Sequence, residues 1–393
     1  MNRWLRVILG LFLASLALRP QILAIGPLLP LIRADLGLPA AVGGLLTTIP
    51  VLCMGLFAPV GPRLAARIGT RWAFAACLVV IVGFGLARVA APGVLPLLAA
   101  TLGIGIGIGT AGAVPSMVVS QRIPGRPVLG TGAYAGGIVA GSTVAAALAV
   151  PLATDGDWRR SLAIISAASA ASVVSWLVLM HGDRGVRPAS VPLRHLPWRS
   201  ATGWLLVLLF GLQSILFYGV VAWLPNAFVE RGWSTRDAGA LIAVFNGVGL
   251  ITTIGIPLIA DRLGARRRQL IAASILAIVP LVGVIVAPPL AFLWVALAGL
   301  ALGAVFPLVL TLPLDVADDP SQVGSVAALM LLGGYAISST GPVLLGTARD
   351  ITGRFDLSLW MLVGIAVLLV LTCIPLSAGR LRRGVRRDIS LTM

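Results

Sequence analysis

Apolar runs of about 17–25 residues recur from one end of this chain to the other, and each is long enough to cross roughly 30 Å of hydrocarbon as a helix. In lipid the backbone must satisfy its own hydrogen bonds, which leaves helices or closed barrels. The runs are too long and too continuously apolar for barrel strands, whose residues alternate. The pattern predicts an all-α membrane protein with twelve transmembrane helices. The first six spans fall at 7–31, 41–61, 73–89, 94–119, 128–152 and 161–180, and the second six at 201–228, 238–260, 270–286, 290–314, 323–348 and 357–378. Only 11% of the 393 residues are charged, too few to cover a soluble protein of this length. The expected organisation is a six-helix bundle over 1–180, a polar linker over 181–200, a second bundle over 201–379 and a basic tail over 380–393.

The N-terminal apolar run resembles a secretory signal, but it continues to about Leu31 with no small-residue cleavage site at signal-peptide length, so it reads as a retained first helix. The net charge of +16 comes from arginine alone, because the chain contains no lysine. The arginines sit in short loops, a pattern of membrane orientation rather than of nucleic-acid binding. Twenty lie on the side shared by both termini, and eight (Arg33, Arg88, Arg159, Arg160, Arg231, Arg236, Arg349 and Arg354) lie on the other. The positive-inside rule then places both termini in the cytoplasm of a bacterial inner membrane. Cys53, Cys77 and Cys373 stand singly inside spans, without disulfide or metal spacing. His181 and His195 lie in the central linker, so no metal site and no cofactor is expected within the membrane.

The two halves repeat. Leu29-Pro30 followed by Gly37 is matched by Leu224-Pro225 followed by Gly232, and the loop from Pro62 to Arg71 by the loop from Pro257 to Arg266, all at an offset of 195 residues. Gly156 and Ser161 match Gly353 and Ser358 at an offset of 197. Two parallel six-helix repeats around a midplane site form a transporter plan.

The repeated loop resembles the motif between the second and third helices of the major facilitator superfamily and its echo between the eighth and ninth. The second copy carries the pattern at Asp261, Arg262, Gly264 and Arg266. The first carries it at Arg67, Gly69 and Arg71, with Ala66 where the aspartate is expected. A narrower resemblance runs through Leu18-Arg19-Pro20, the stretch from Gly26 to Gly37 and the stretch from Gly44 to Val51. It is similar to the CynX/NimT branch, whose members include cyanate and nitroimidazole transporters. The resemblance implies alternating access, with spans 1, 2, 4, 5, 7, 8, 10 and 11 around the site and spans 3, 6, 9 and 12 outside. It implies gating roles for the loop residues and a small-molecule substrate carried by a monomer in the bilayer.

One arginine stands apart. Arg19 is 13 residues after Arg6 and 14 before Arg33. At about 1.5 Å per residue that is roughly 20 Å from each, near the bilayer centre. A lone arginine there costs about 2.5–3.5 kcal/mol on insertion scales, so it must face protein or water. Pro20 has no N–H, which strips the carbonyl of Leu16 of its helical partner and predicts a kink. No Asp or Glu stands mid-span, so a permanent internal ion pair is not expected. A cation beside a broken helix suits an anionic substrate, and carbonyl bonding is the structural alternative. Gln213, Ser214, Tyr218, Asn246, Tyr335, Thr47 and Tyr134 are polar positions on other spans that could complete a site, although such residues more often serve helix packing.

The run Gly103-Ile-Gly105-Ile-Gly107-Ile-Gly109 lacks the Lys-Ser/Thr of a phosphate loop and reads as a close helix-packing surface. Gly132, Gly136, Gly137 and Gly141 partly resemble the superfamily's antiporter motif. The leading expectation is secondary transport of a small organic or inorganic anion. Export of a neutral or weakly basic aromatic drug is the second. A membrane sensor or scaffold would want a soluble output domain, for which the loops are too short. Catalysis lacks a nucleophile, a metal cluster or an acid–base pair.

Overall fold

The computed structural model describes residues 3–123, 127–181, 196–259, 266–316 and 320–376. Among them, regular structure is helical throughout. The helices are α1 (Arg3–Ser15), α2 (Pro20–Leu23), α3 (Ile25–Leu36), α4 (Ala40–Leu56), α5 (Val60–Ile68), α6 (Thr70–Val89), α7 (Val94–Ala111), α8 (Val114–Arg122), α9 (Pro127–Leu152) and α10 (Trp158–Leu179). They continue as α11 (Ala201–Glu230), α12 (Thr235–Ile259), α13 (Arg266–Val286), α14 (Ala291–Val316), α15 (Pro320–Thr352) and α16 (Asp356–Cys373). Eleven stretches are long and apolar enough to span a membrane, and α4 with α5, bent by 60°, makes a twelfth.

The breaks follow proline chemistry. The first span, Trp4–Leu36, is three helices in series rather than one kinked rod. Pro20 and Pro27 lack the N–H groups that the carbonyls of Leu16 and Leu23 would accept in a continuous helix. The fourth span, read as one helix, is interrupted between α7 and α8, where Pro115 follows Gly112 and opens the new helix in its first turn. The α4–α5 bend has the same origin, in Pro59 and Pro62.

The chain folds as two compact units. One comprises Met1–Val191 with Val221–Ala243, and the other Pro192–Val220 with Val244–Met393. In the first, glycines on α7 set the spacing. Gly105 and Gly109 lie against Pro50 and Cys53 of α4, while Gly103 and Gly107 lie against Phe84, Ile81 and Cys77 of α6. A Cβ at any of these four positions would collide, so this run is the close-packing surface expected of it. The second unit uses the same device between α12 and α14: Gly299 sits against the backbone of Phe245 and Gly303 against that of Gly249. Thr252 and Thr253 of α12 donate to the carbonyls of Leu300 and Gly303 at 2.8 and 3.1 Å.

The internal repeat is visible as matched local geometry. Gly37 and Gly232 have φ of 61° and 90°, and Gly156 and Gly353 have φ of 79° and 74°. These left-handed turns close equivalent helices, where a side chain would be strained. Ser161 donates to the carbonyl of Ala149 at 2.6 Å, and Ser358 to that of Leu345 at 2.7 Å.

Candidate functional site

The site starts from the break in the first span. Residues 16–19 leave the helix, and Arg19 caps α2 with φ −120° and ψ −9°. Its carbonyl accepts from the backbone N–H groups of Ile22 and Leu23 at 3.0 and 3.1 Å, so Arg19 stands at the start of a new helical turn. The side chain is half-buried, close to the middle of the 33-residue span. Two glycines of α9 reach this segment: Gly137 lies against the carbonyl of Phe12, and Gly141 against that of Leu16. A Cβ at either glycine would collide with these backbone oxygens.

Behind the break lies a buried polar cluster that the sequence pattern did not single out. Arg88, in the last turn of α6, is 0% exposed. Its two terminal nitrogens donate to Gln21, one to the backbone carbonyl at 3.1 Å and one to the side-chain Oε1 at 2.7 Å. The Nε2 of Gln21 donates to Ser166 Oγ of α10 at 3.0 Å, and Ser166 Oγ donates onward to the carbonyl of Leu162 at 2.7 Å. Gly85, nearly one turn before Arg88, leaves room for this cluster, because a Cβ there would come within 2.8 Å of Ser166 Oγ and 3.0 Å of Gln21 Nε2. The Nε of Arg88 is buried without a hydrogen-bond partner among the described residues. Leaving such a buried donor unsatisfied costs about 1–3 kcal/mol, and more for a charged group.

The other polar residues fall in both units. Thr47 of α4 is fully buried, and its hydroxyl has no hydrogen-bond partner among the described residues. Tyr134 of α9 is half-buried. Both share a unit with Arg19. In the other unit Gln213, Ser214 and Tyr218 are buried along α11, and Ser214 donates to Gln213 Oε1 at 3.2 Å. Phe217 stacks edge-on with Tyr218 at 5.2 Å and lies 5.7 Å from Phe245, the neighbour of the buried Asn246. Tyr335 of α15 meets Phe210 of α11 edge-on at 4.9 Å. The polar groups of this unit are therefore embedded in aromatic surface.

The loop motif is partly described. Arg67 is exposed, and Gly69, with φ 84°, caps α6. Arg71 donates to the carbonyl of Leu177 at 3.1 Å, lies 4.9 Å over the ring of Trp72, and receives the indole N–H of Trp176 on its own carbonyl at 2.9 Å. It ties the start of α6 to the end of α10. Asp261, Arg262 and Gly264 lie outside the described residues, and Arg266 begins α13.

At the opposite end of the same unit, Asp35 pairs with Arg159 at 2.6 Å and accepts from the indole of Trp158 at 3.0 Å. Arg33 donates to the carbonyl of Leu38 at 3.3 Å and to Asn226 Oδ1 at 3.4 Å, with its guanidinium 5.9 Å from the ring of Trp223.

Serial apolar helices, a duplicated architecture and buried polar side chains on otherwise apolar spans define a multi-pass membrane transporter. Residues 7–342 match the Major Facilitator Superfamily, and the chain belongs to that family of secondary transporters rather than to an enzyme family. It is 30% identical over 353 residues to the cyanate transport protein CynX of Escherichia coli, covering 89% of this chain and 91% of that protein. It is 28% identical to the 2-nitroimidazole transporter of Escherichia coli, with 95% of each covered. With the uncharacterized transporter YycB of Bacillus subtilis it shares 26%, covering 96% of this chain and 94% of YycB. Among solved structures, the D-xylose–proton symporter superimposes with a TM-score of 0.77 at 16% identity, covering 95% and 98% of the two chains. A bacterial homolog of the human lysosomal transporter Spinster, inward-facing and unoccupied, gives 0.78 at 17%, covering 99% and 98%. These two likenesses show the fold.

Proposed function

We propose that the chain carries a small anion across the bacterial inner membrane by alternating access of its two halves, with Arg19 as the group that holds the charge. The observation that carries this reading is the position of Arg19, half-buried at a proline-broken turn in the middle of a 33-residue apolar span. A cation is expensive at that depth unless it faces protein, water or a solute that carries the opposite charge. Gln213, Tyr218, Asn246 and Tyr335 supply hydrogen-bonding groups that set shape, and the similarity to a cyanate carrier supports a small anionic solute. The excess of arginines in one set of loops supports cytoplasmic termini.

A second reading, export of a neutral or weakly basic aromatic compound, is favoured by the edge-on aromatic contacts of Tyr218 and Tyr335 and by the similarity to a 2-nitroimidazole carrier. A thermal-shift panel on purified protein separates the two. Acetate, benzoate and cyanate should stabilise the wild-type chain and lose that effect in Arg19→Gln, while Arg19→Lys keeps part of it by retaining the charge without the planar fork. Stabilisation by 2-nitroimidazole alone, unchanged in Arg19→Gln, would sink the anion reading.

A further inference from the structure

We infer that Arg88 is a positioning residue for the substrate site, holding the broken turn that presents Arg19 by gripping Gln21. The inference rests on the proposed role of Arg19 and adds a residue to it.

The broken segment has little to hold it by itself. α2 is four residues long, too short to persist as an isolated helix. Prolines at 20 and 27 remove two ladder hydrogen bonds around it. Side chains from two other helices take their place. Arg88 of α6 holds both oxygens of Gln21 through the two prongs of its guanidinium, at 3.1 and 2.7 Å, and Ser166 of α10 accepts the Gln21 amide at 3.0 Å. Gln21 is itself 0% exposed and lies two residues from Arg19. A planar fork can engage a backbone oxygen and a side-chain oxygen of one residue at once, which an ammonium cannot do with the same geometry.

A role in stability alone fits this arrangement poorly. None of the described ion pairs involves Arg88, and its Nε is without a hydrogen-bond partner among the described residues. Well-packed apolar side chains usually stabilise such a position at least as well as a buried charge does. What the arginine adds is a fixed orientation for one particular residue, Gln21. It thereby fixes the turn that begins at Arg19.

Hydrogen exchange followed by mass spectrometry tests this without a ligand. In Arg88→Gln, amides of residues 16–24 should exchange about tenfold faster, while those of α12 and α14 are unchanged. Arg88→Lys should recover part of the protection. Gln21→Leu should accelerate the same amides, and adding Arg88→Gln to it should bring little more, since the two act as one unit. Ser166→Ala, which leaves Arg88 and Gln21 in place, is a milder variant should Arg88→Gln fail to fold, and it should loosen the same segment less. Unchanged exchange in 16–24, or a uniform acceleration across the chain, would overturn the inference. The second readout is the cyanate concentration needed for half-maximal thermal stabilisation, which should rise about tenfold in Arg88→Gln, or about 1.4 kcal/mol. Local loosening with an unchanged cyanate requirement would also overturn the positioning role. An Arg19→Gln variant that responds to cyanate like wild type would remove the Arg19 reading alone, because the exchange measurement involves no solute.

Discussion

Gly141 of α9 lies directly against the carbonyl oxygen of Leu16, the oxygen that Pro20 deprives of its helical N–H. With Gly137 against the carbonyl of Phe12 one turn earlier, it lets the α9 backbone approach the point where the first span comes apart. Substituting Gly141→Val should therefore push α9 away and disturb the broken turn, at a cost of about 1–3 kcal/mol typical of overpacking. Gly132→Ala, at a position with nothing within 4 Å of an added Cβ, should be close to neutral. Thermal unfolding in detergent compares the two. Equal melting temperatures for both variants would refute the packing argument.

The paired serines give a prediction about the repeat. Ser161 and Ser358 are both buried and make the same bond, to Ala149 and to Leu345, at 2.6 and 2.7 Å. Ser161→Ala and Ser358→Ala should each destabilise by about 0.6–1.5 kcal/mol, the range for buried hydrogen bonds between membrane helices and in proteins generally. Lying in separate units, they should add in the double variant. A double variant no less stable than either single one would show that the two bonds are not independent supports.

These findings also mark what the sequence could and could not disclose. The break at Pro20 and the pairing of Gly37 with Gly232, Gly156 with Gly353 and Ser161 with Ser358 were legible because proline acts locally and a fixed offset acts by register, while the left-handed backbone at these glycines is seen only in the structure. The interruption before Pro115 had a signal too, a proline shortly after a glycine, but the run of apolar residues on either side concealed it. Arg88 was beyond reach of such arguments. It sits one residue from the end of α6, where an arginine normally reaches the aqueous interface, and the sequence assigned it there. Only tertiary packing, with Gly85 opening space for Gln21 and Ser166, turns that side chain inward.

A gating prediction comes from Arg33. It joins α3 to Asn226 on the far half of α11 through a 3.4 Å bond, with Gly43 of α4 supporting its stem. Asn226 packs in the same compact unit as Arg33 but belongs to the second repeat of the sequence, so alternating access of the two repeats would break that bond once in each cycle. Asn226→Asp replaces a neutral acceptor by a charged one, which adds about 1 kcal/mol and should slow turnover about fivefold. Raising salt should restore little of the rate, since an attraction with one partner buried is weakly screened. The check is initial-rate uptake into proteoliposomes at low and high ionic strength, and an unchanged rate at low salt would count against a gating role.

Energy coupling is the most exacting prediction. Carriers that move protons commonly load them on a carboxylate within the membrane. Among the Asp and Glu residues whose side chains the structure describes, none is buried; Asp35 is exposed and already paired with Arg159 at 2.6 Å, and Asp356 is only half-buried at the start of α16. Asp261 lies outside the described residues, in the repeated loop. Tyrosine and arginine release protons too far above neutral pH to substitute. The expected outcome is that a permanently ionised anion crosses without a stoichiometric proton, in exchange for another anion at Arg19, whereas a protonatable substrate brings its own proton with it. Proteoliposomes holding an internal pH dye, loaded with the anion that Arg19 proves to recognise, provide the measurement. Asp35→Asn and Asp261→Asn variants identify any contribution from the ends of the spans. Proton movement matching the flux of a non-protonatable anion, and persisting in both variants, would mean that a carrier group exists which neither Asp35 nor Asp261 accounts for.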